Sequence, residues 1–511
     1  MLLLVLMLAV SVVLAGCGGN NEPAPSNNGG TNTPAPSTGG NNDGGSSDGG
    51  SDLAPYKLVM AFPGGPQADE AAVEAAINEY LTGKINATID LQPIDWGQWN
   101  DKRNLMIASN EPVDIYFTAQ WSNHAVNVAK NAFIQLEDLL QSHGQGILET
   151  QDPAFIEGSK IDGKVWAIPT SKELAAQGGI VFRKDIADEL GINMNEVTTL
   201  QQLGDVLQQV KDAKPDITPL YMREGETLTQ HYFIDFDYLG NTDVDGIIYK
   251  DGTDTTVISK LESERYIEFL NITRDFYQRG LINRDAATQQ TSGDDMMRAG
   301  SIFAQLHSLK PGKDAEVAAA TGLEGKLSQI AFNQPTVSTG EAAGSMLAIS
   351  TASKDPERAM MFINLLHTDA ELNNLLNFGI EGVHYNLDGN GMMTRTDKTG
   401  DYAPGASWMF GNQFLNHLWD SEDPQKWEKF KEFNNSAALS PALGFTFNAE
   451  PITTEAAALI NVKREFEAAL ETGSVDPGPI VAQYLEKSKA AGLDRAIAEK
   501  QSQFDAFLAS K

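Results

Sequence analysis

The amino-acid sequence predicts an α/β fold, and three observations carry that expectation. From Tyr56 onward, short apolar runs alternate with stretches of helical spacing, an order that pairs strands in parallel through helical crossovers. Of the 511 residues 41% are apolar and 21% charged, an ordinary globular balance, and the length allows two or three domains with a sizeable core. After residue 17 no run of about 18 apolar residues occurs, so no later segment is expected to span a membrane.

The chain opens on an apolar run, Leu2 to Val13, followed by Leu14-Ala15-Gly16-Cys17. An apolar core shorter than a membrane span, with small residues behind it, is the pattern of a secretory signal. The Leu-Ala-Gly-Cys ending resembles the lipobox of bacterial lipoproteins, which implies lipidation at Cys17 and a place on the extracellular face of the cell membrane. An ordinary signal peptide with an incidental cysteine is the plainer alternative. No Lys or Arg precedes the run, so the true start is expected upstream of Met1. Cys17 is the only cysteine, and as an anchor it leaves no thiol for a disulfide, a Cys-zinc site or a nucleophile. Residues 18–53 are mostly Gly, Asn, Ser, Pro, Thr and Asp. With so little apolar surface they cannot offset the entropy of ordering, and a disordered tether is expected.

Tyr56 to Phe62 reads as a strand stopped by Pro63-Gly64-Gly65-Pro66. Asp69 to Leu81 has helical spacing through Val73, Ile77 and Tyr80, and Ala87 to Pro93 reads as a second strand. Trp99 to Ser109 is a second helix and Val113 to Phe117 a third strand. Ligands of parallel sheets sit at the carboxyl ends of the strands, here Asp95-Trp96 and Ala119-Gln120-Trp121. Farther along, Asp162-Gly163 marks a hairpin turn, and a capped helix is predicted from Thr199 to Asp212. Further helices are expected at Ser263 to Arg279 and Asp355 to Asn377, with strand-like runs at 297–304 and 343–350.

Four stretches in this order carry a resemblance: Ala108 to Ile115, the Gly163 to Pro169 hairpin, the strand at Gly300, and the helix start Ser353 to Ala359. Residues 56–511 resemble an extracellular solute-binding protein of ABC sugar importers. Gly379 to Tyr385, Gly411 to Phe414, Ser440 to Phe445 and Val475-Asp476-Pro477 narrow this to a Gram-positive lipoprotein subgroup with a characteristic C-terminal extension, closed by a helix from Gly492 to Phe507. The resemblance implies a two-lobed, periplasmic-binding-protein-like (Venus flytrap) fold with three hinge crossings, near 169–179, 298–304 and 345–350. Lobe 1 would comprise 54–170 and 303–346, and lobe 2 171–302 and 347–511. It also implies a monomer without a cofactor, which holds an oligosaccharide and passes it to ABC permease subunits in the membrane.

A sugar presents hydroxyl edges and a weakly apolar face, so its site combines flat aromatic rings with polar side chains. Of seven Trp, four fall where the resemblance puts a cleft: Trp96, Trp121, Trp166 and Trp408. Trp121 and Trp408 have polar, loop-like neighbours, whereas Trp166, beside Val165 and Ile168, reads as core. Glu381, His384 and Tyr385, set around Gly379 and Gly382, form the densest polar cluster. Asp114, Glu173 and Asn412 complete the ligand-binding candidates.

The stretches 241–246 and 386–391 have the spacing of a calcium loop, but both read better as hairpin turns, and Gly252 stands where the first would need its closing glutamate. No metal site is expected. A net charge of −32 opposes nucleic acid. Two alternatives stay open: a peptide or polyamine carrier, the latter drawn to the acidic surface, and a surface glycoside hydrolase working through paired carboxylates. Against an enzyme, G-x-S-x-G, H-E-x-x-H and P-loop patterns are missing from the sequence, and against a structural or adhesive surface protein, internal repeats are missing.

Overall fold

The structure, a computed structural model, describes residues 53–511; the expected signal (1–17) and nearly all of the expected tether (18–53) lie outside the described residues. The body begins with β1 (Tyr56–Pro63), whose inward side chains Leu58, Met60 and Phe62 are buried. It runs parallel to β2 (Ala87–Ile94) and to β3 (Ile115–Thr118). The helices Glu70–Ile85 and Trp99–Ala108 make the crossovers, and the first ends on Asn86 at φ 46°, a left-handed position that Asn tolerates. A turn at Asp162-Gly163, both with positive φ, leads to β4 (Ile168–Pro169).

Beyond it come β5 (Gln177–Arg183), β6 (Thr218–Tyr221), the short pair β7 (Phe236–Asp237) and β8 (Ile248–Tyr249), β9 (Ile302–Leu309) and β10 (Leu327–Ala331). The remaining strands are β11 (Thr336–Val337), β12 (Met346–Ile349), β13 (Tyr385–Leu387), β14 (Met393–Arg395) and β15 (Ala438–Leu439). Two sheets organise the lobes, one in the order β2-β1-β3-β12-β4 and the other β10-β5-β9-β6. In the first, β12 is antiparallel to β3 and β4.

Local signals placed most helices. Thr199 and Gln202 form a reciprocal capping box ahead of the helix Leu200–Ala213, and the Ser263 hydroxyl accepts from the Tyr266 amide ahead of Glu264–Arg279. The helix expected over Asp355 to Asn377 is instead two, Pro356–Thr368 and Ala370–Phe378. Asp369 breaks it: its ψ of 107° leaves the helical region, and its carboxylate caps the second helix by accepting from the Leu372 amide.

The sheets divide the chain differently from the expected lobes. β9 and β10, inside the 303–346 segment assigned to lobe 1, belong to the second sheet. β12 and the helices Pro356–Thr368 and Ala370–Phe378, assigned to lobe 2, pack on the first sheet, where Leu347, Phe362, Ile363 and Leu376 join the core of Met60, Ile115 and Phe117. The expected crossing near 298–304 is the turn from the helix Gly293–Arg298 into β9, within one lobe. A short run of apolar residues buried on both faces suits either sheet, and only the partner strand decides between them.

Where the chain does pass between lobes, its segments lie side by side. Ala176 and Thr336 exchange backbone hydrogen bonds, and β11 runs parallel to β15. Leu174, Ala175, Val337, Ala342 and Leu443 cluster there with Phe155. One further feature fixes the second lobe. The loop between β7 and β8 wraps the side chain of Lys500, on the closing helix Leu493–Ser510. Its buried ammonium donates to the carbonyls of Tyr238 (3.1 Å), Asn241 (3.1 Å), Val244 (2.6 Å) and Gly246 (3.0 Å). A Cβ on Gly246 would lie 2.8 Å from Lys500 Cδ, so the approach requires glycine. The 241–246 stretch thus closes around an ammonium, whereas 386–391 is the turn of the β13–β14 hairpin.

Candidate functional site

The carboxyl ends of β2 and β3 carry Trp96 and Trp121 out of the sheet, and the loop after Pro404 brings Trp408 beside them. The three indoles stack. The Trp96 and Trp121 rings lie 6.2 Å apart at 26°, and those of Trp96 and Trp408 6.1 Å apart at 17°. Phe117, in β3, supports Trp121 and Trp408 from below at 6.0 and 5.9 Å. The Trp121 indole N–H donates to the Gly344 carbonyl at 2.8 Å, which fixes its plane. Trp96 and Trp121 nonetheless keep 49% and 52% of their surface exposed. Aromatic rings of this size normally bury most of their area, so half-exposed stacked indoles are a surface held ready for something flat.

Trp121 and Trp408 line a cavity of about 890 Å³ between the lobes, within the size range of ligand pockets. Its floor is the first hinge segment, Lys172 to Ala176. The far wall comes from the second sheet's loops, with Thr229, His231, Tyr232 and Tyr238, and from the helix Thr453–Glu471, with Lys463 and Arg464. Gln120 reaches across from the end of β3 to the Gly240 carbonyl at 2.6 Å.

The charges in the cleft are mostly paired. Burial pushes Glu173 up, but Lys172 and Lys310, each 3.3 Å away, overcome it and hold the carboxyl at about 2. Burial would likewise raise Glu341, yet Lys250 at 3.1 Å and His231 at 3.0 Å keep it well below the carboxylate range. Lys260 sits between Glu467 and Glu471. Carboxylates tied in this way hold position and charge balance. Among the described residues no group of three His, Cys, Asp or Glu is placed to hold a metal ion.

Of the residues singled out from sequence, the structure brings together Trp96, Trp121, Trp408 and Glu173. Trp166 packs on the core of the first lobe, its indole N–H on the Ile161 carbonyl. The other five lie elsewhere. Asp114 precedes β3, at the end of the sheet opposite the cleft, and is buried accepting from the Tyr56 hydroxyl, the Val59 amide and the Ser353 hydroxyl. His384 is buried, its Nδ1 accepting from the Ile380 amide. Tyr385 lies in the β13–β14 hairpin, and Glu381 is exposed beside it; neither lines the cavity. Asn412 caps the turn at Gln413 and donates to the His367 carbonyl. The glycines that suggested a ligand site there serve the local fold instead: a Cβ on Gly379 would meet His384 Nδ1 at 2.5 Å, and Gly382 takes a left-handed φ of 80°. Sequence reasoning missed His231, Tyr232, Tyr238 and Arg464. The run Thr229-Gln230-His231-Tyr232, polar and aromatic without periodicity, was the one available signal.

The family model of bacterial extracellular solute-binding proteins matches residues 64–371. The chain belongs to that family. This solute-binding protein also matches, over residues 441–509, a Domain of unknown function (DUF3502), which contains the helix on the far wall of the cleft. It is 28% identical to a carbohydrate ABC transporter substrate-binding protein of Streptococcus pneumoniae serotype 4, over 91% of this chain and 94% of that one. It is 24% identical to lipoprotein LipO of Bacillus subtilis strain 168, over 69% and 71%. Among solved structures, the N-glycan transport solute binding protein NgtS from Streptococcus pneumoniae is 27% identical and matches with a TM-score of 0.82, covering 89% of this chain and 99% of that one. NgtS in complex with Man1GlcNAc gives 0.76, and with Man5GlcNAc 0.73.

Proposed function

We propose that this solute-binding protein captures an oligosaccharide at the cell surface and delivers it to the membrane permease of an ABC importer. The observation that carries the reading is the stack of Trp96, Trp121 and Trp408, of which Trp121 and Trp408 line one wall of the cleft. Tyr232 and Tyr238 stand on the opposite wall, so closure at the hinge would enclose a pyranose face between rings while Thr229, His231 and Arg464 meet its hydroxyls. The names of the relatives point the same way: one is a carbohydrate transporter component, and NgtS was solved with two oligosaccharides.

Micromolar capture needs only about −8 kcal/mol, which a few stacking contacts and hydrogen bonds supply after ordering costs. Titration calorimetry against oligosaccharides, peptides and polyamines tests the reading; binding of peptides or polyamines alone would overturn it. Trp121→Ala and Trp408→Ala are each expected to weaken sugar binding by about 1–3 kcal/mol, on the scale of base stacking. Release of reducing sugar from the ligand would point to a hydrolase instead.

Anchoring through Cys17 belongs to the same proposal. It is supported by Leu14-Ala15-Gly16-Cys17 and by similarity to a protein named as a lipoprotein. Cys17→Ser is expected to move the protein from the membrane fraction to the medium, and palmitate labelling of the wild type to be lost.

A further inference from the structure

Next to the cleft lies a second cavity of about 700 Å³, on the other side of Trp408. The two share Trp408 and the charged group of Lys172, Glu173, Lys310 and Lys313. Two further indoles line the side chamber, Trp419 and Trp427. Their polar edges are arranged: the Trp427 N–H donates to the Asn416 carbonyl at 2.9 Å, and the Arg395 guanidinium lies 5.0 Å from the Trp419 ring.

The chamber also contains side-chain atoms that the fold does not satisfy. Gln413 and Asn416 line it, are 5% and 6% exposed, and have Gln413 Oε1 and Asn416 Nδ2 without a partner. Glu173 Oε2, shared with the main cleft, is a third. A buried acceptor and a buried donor without partners, in a cavity rimmed by indoles, are the complement of a sugar's hydroxyls and apolar face. Most ionic groups there are already paired, Lys310 with Glu316 at 2.9 Å and Lys426 with Glu422 at 2.6 Å, and Arg395, which has no carboxylate partner among the described residues, rests against Trp419, where its N–H groups can donate to hydroxyls.

We infer that the side chamber is a second sugar subsite, which holds the branch of a neutral branched oligosaccharide whose main run lies in the cleft. Trp408 is the fork: one cavity opens on each side of it. The inference rests on the oligosaccharide reading above and adds the shape of the ligand.

The test is calorimetry of the full mature chain against matched linear and branched neutral oligosaccharides of equal length, drawn from mannan, galactomannan and xyloglucan fragments. At least one branched member is expected to bind tenfold or more tighter than its linear isomer. Two variants then probe the chamber. Ala319→Trp, on an exposed helix position that lines the chamber and not the cleft, would fill it. It is expected to bring branched and linear affinities within threefold of each other while the linear affinity holds. Gln413→Leu removes the orphaned acceptor; it is expected to lower branched affinity fivefold or more with a melting temperature unchanged or raised. A purely structural Gln413 would lower the melting temperature and leave the ratio alone. If the wild type binds oligosaccharides but shows no branched preference, or if both variants retain it, the side chamber is no subsite and the oligosaccharide reading stands. If no oligosaccharide binds, both fall.

Discussion

Lys500 shows how much one side chain can decide. Burial pulls its ammonium down to about 7, and the carbonyls around it oppose that, since only the protonated form has three N–H bonds to share among them. Lys500→Met would keep the apolar stem and leave the carbonyls of Asn241, Val244 and Gly246 without a donor, while that of Tyr238 keeps the Asn241 amide. At about 1–3 kcal/mol for each buried group left unpaired, the variant is expected to lose at least about 3 kcal/mol in urea unfolding. A loss under about 1 kcal/mol would show that water replaces the ammonium. The same arithmetic explains which site residues were legible. Trp121 and Trp408 stood out because an indole among loop polar residues has little nearby apolar sequence to bury against. Asp114, His384 and Asn412 carried no such mark. Their partners, Ser353, Ile380 and His367, are supplied by the fold, and a carboxylate, imidazole or amide looks the same in sequence whether it meets a ligand or a buried backbone group.

Among elements, those with local causes were read well and those with distant causes were not. The helix after Thr199 announced itself through its capping box, and β1 through the Pro-Gly run behind it. The hinge did not, because it is made of short strands brought together from three parts of the chain. Its first segment is tied down by one residue. Asn434 Oδ1 accepts from the amides of Leu174 (2.7 Å) and Ala175 (3.3 Å), and Nδ2 donates to the Lys172 carbonyl at 3.1 Å. Asn434→Ala is expected to cost about 1–3 kcal/mol by chemical denaturation, with the helix content unchanged in circular dichroism. Stability equal to wild type would mean the hinge is held by its apolar cluster alone.

For the molecule as a whole, acid is the exposed weakness. Burial holds His124 and His367 at about 3 and His307 at about 4, so the folded protein keeps them neutral where the unfolded chain protonates them. The unfolded state therefore binds more protons below about 6.5, and stability falls as pH drops from there toward 4. Each histidine contributes a slope of about 1.4 kcal/mol per pH unit. Below about 4.5 Glu173 adds to the fall, because its folded-state carboxyl stays ionised to about 2. Urea midpoints at pH 7.5, 6 and 5 are expected to decline steadily; a flat profile would mean that these histidines are solvated in solution.

The lysine held by the loop between β7 and β8 has a consequence for where such a protein can work. A loop closed on a calcium ion is stabilised by an amount that follows the free ion concentration around it. A lysine carried on the closing helix is present once per molecule whatever the divalent-ion content of the medium, so dilution and chelation leave it in place. Melting curves in excess EDTA and in millimolar calcium are expected to coincide. A melting temperature that climbs with added calcium would mean that a divalent ion still enters the loop.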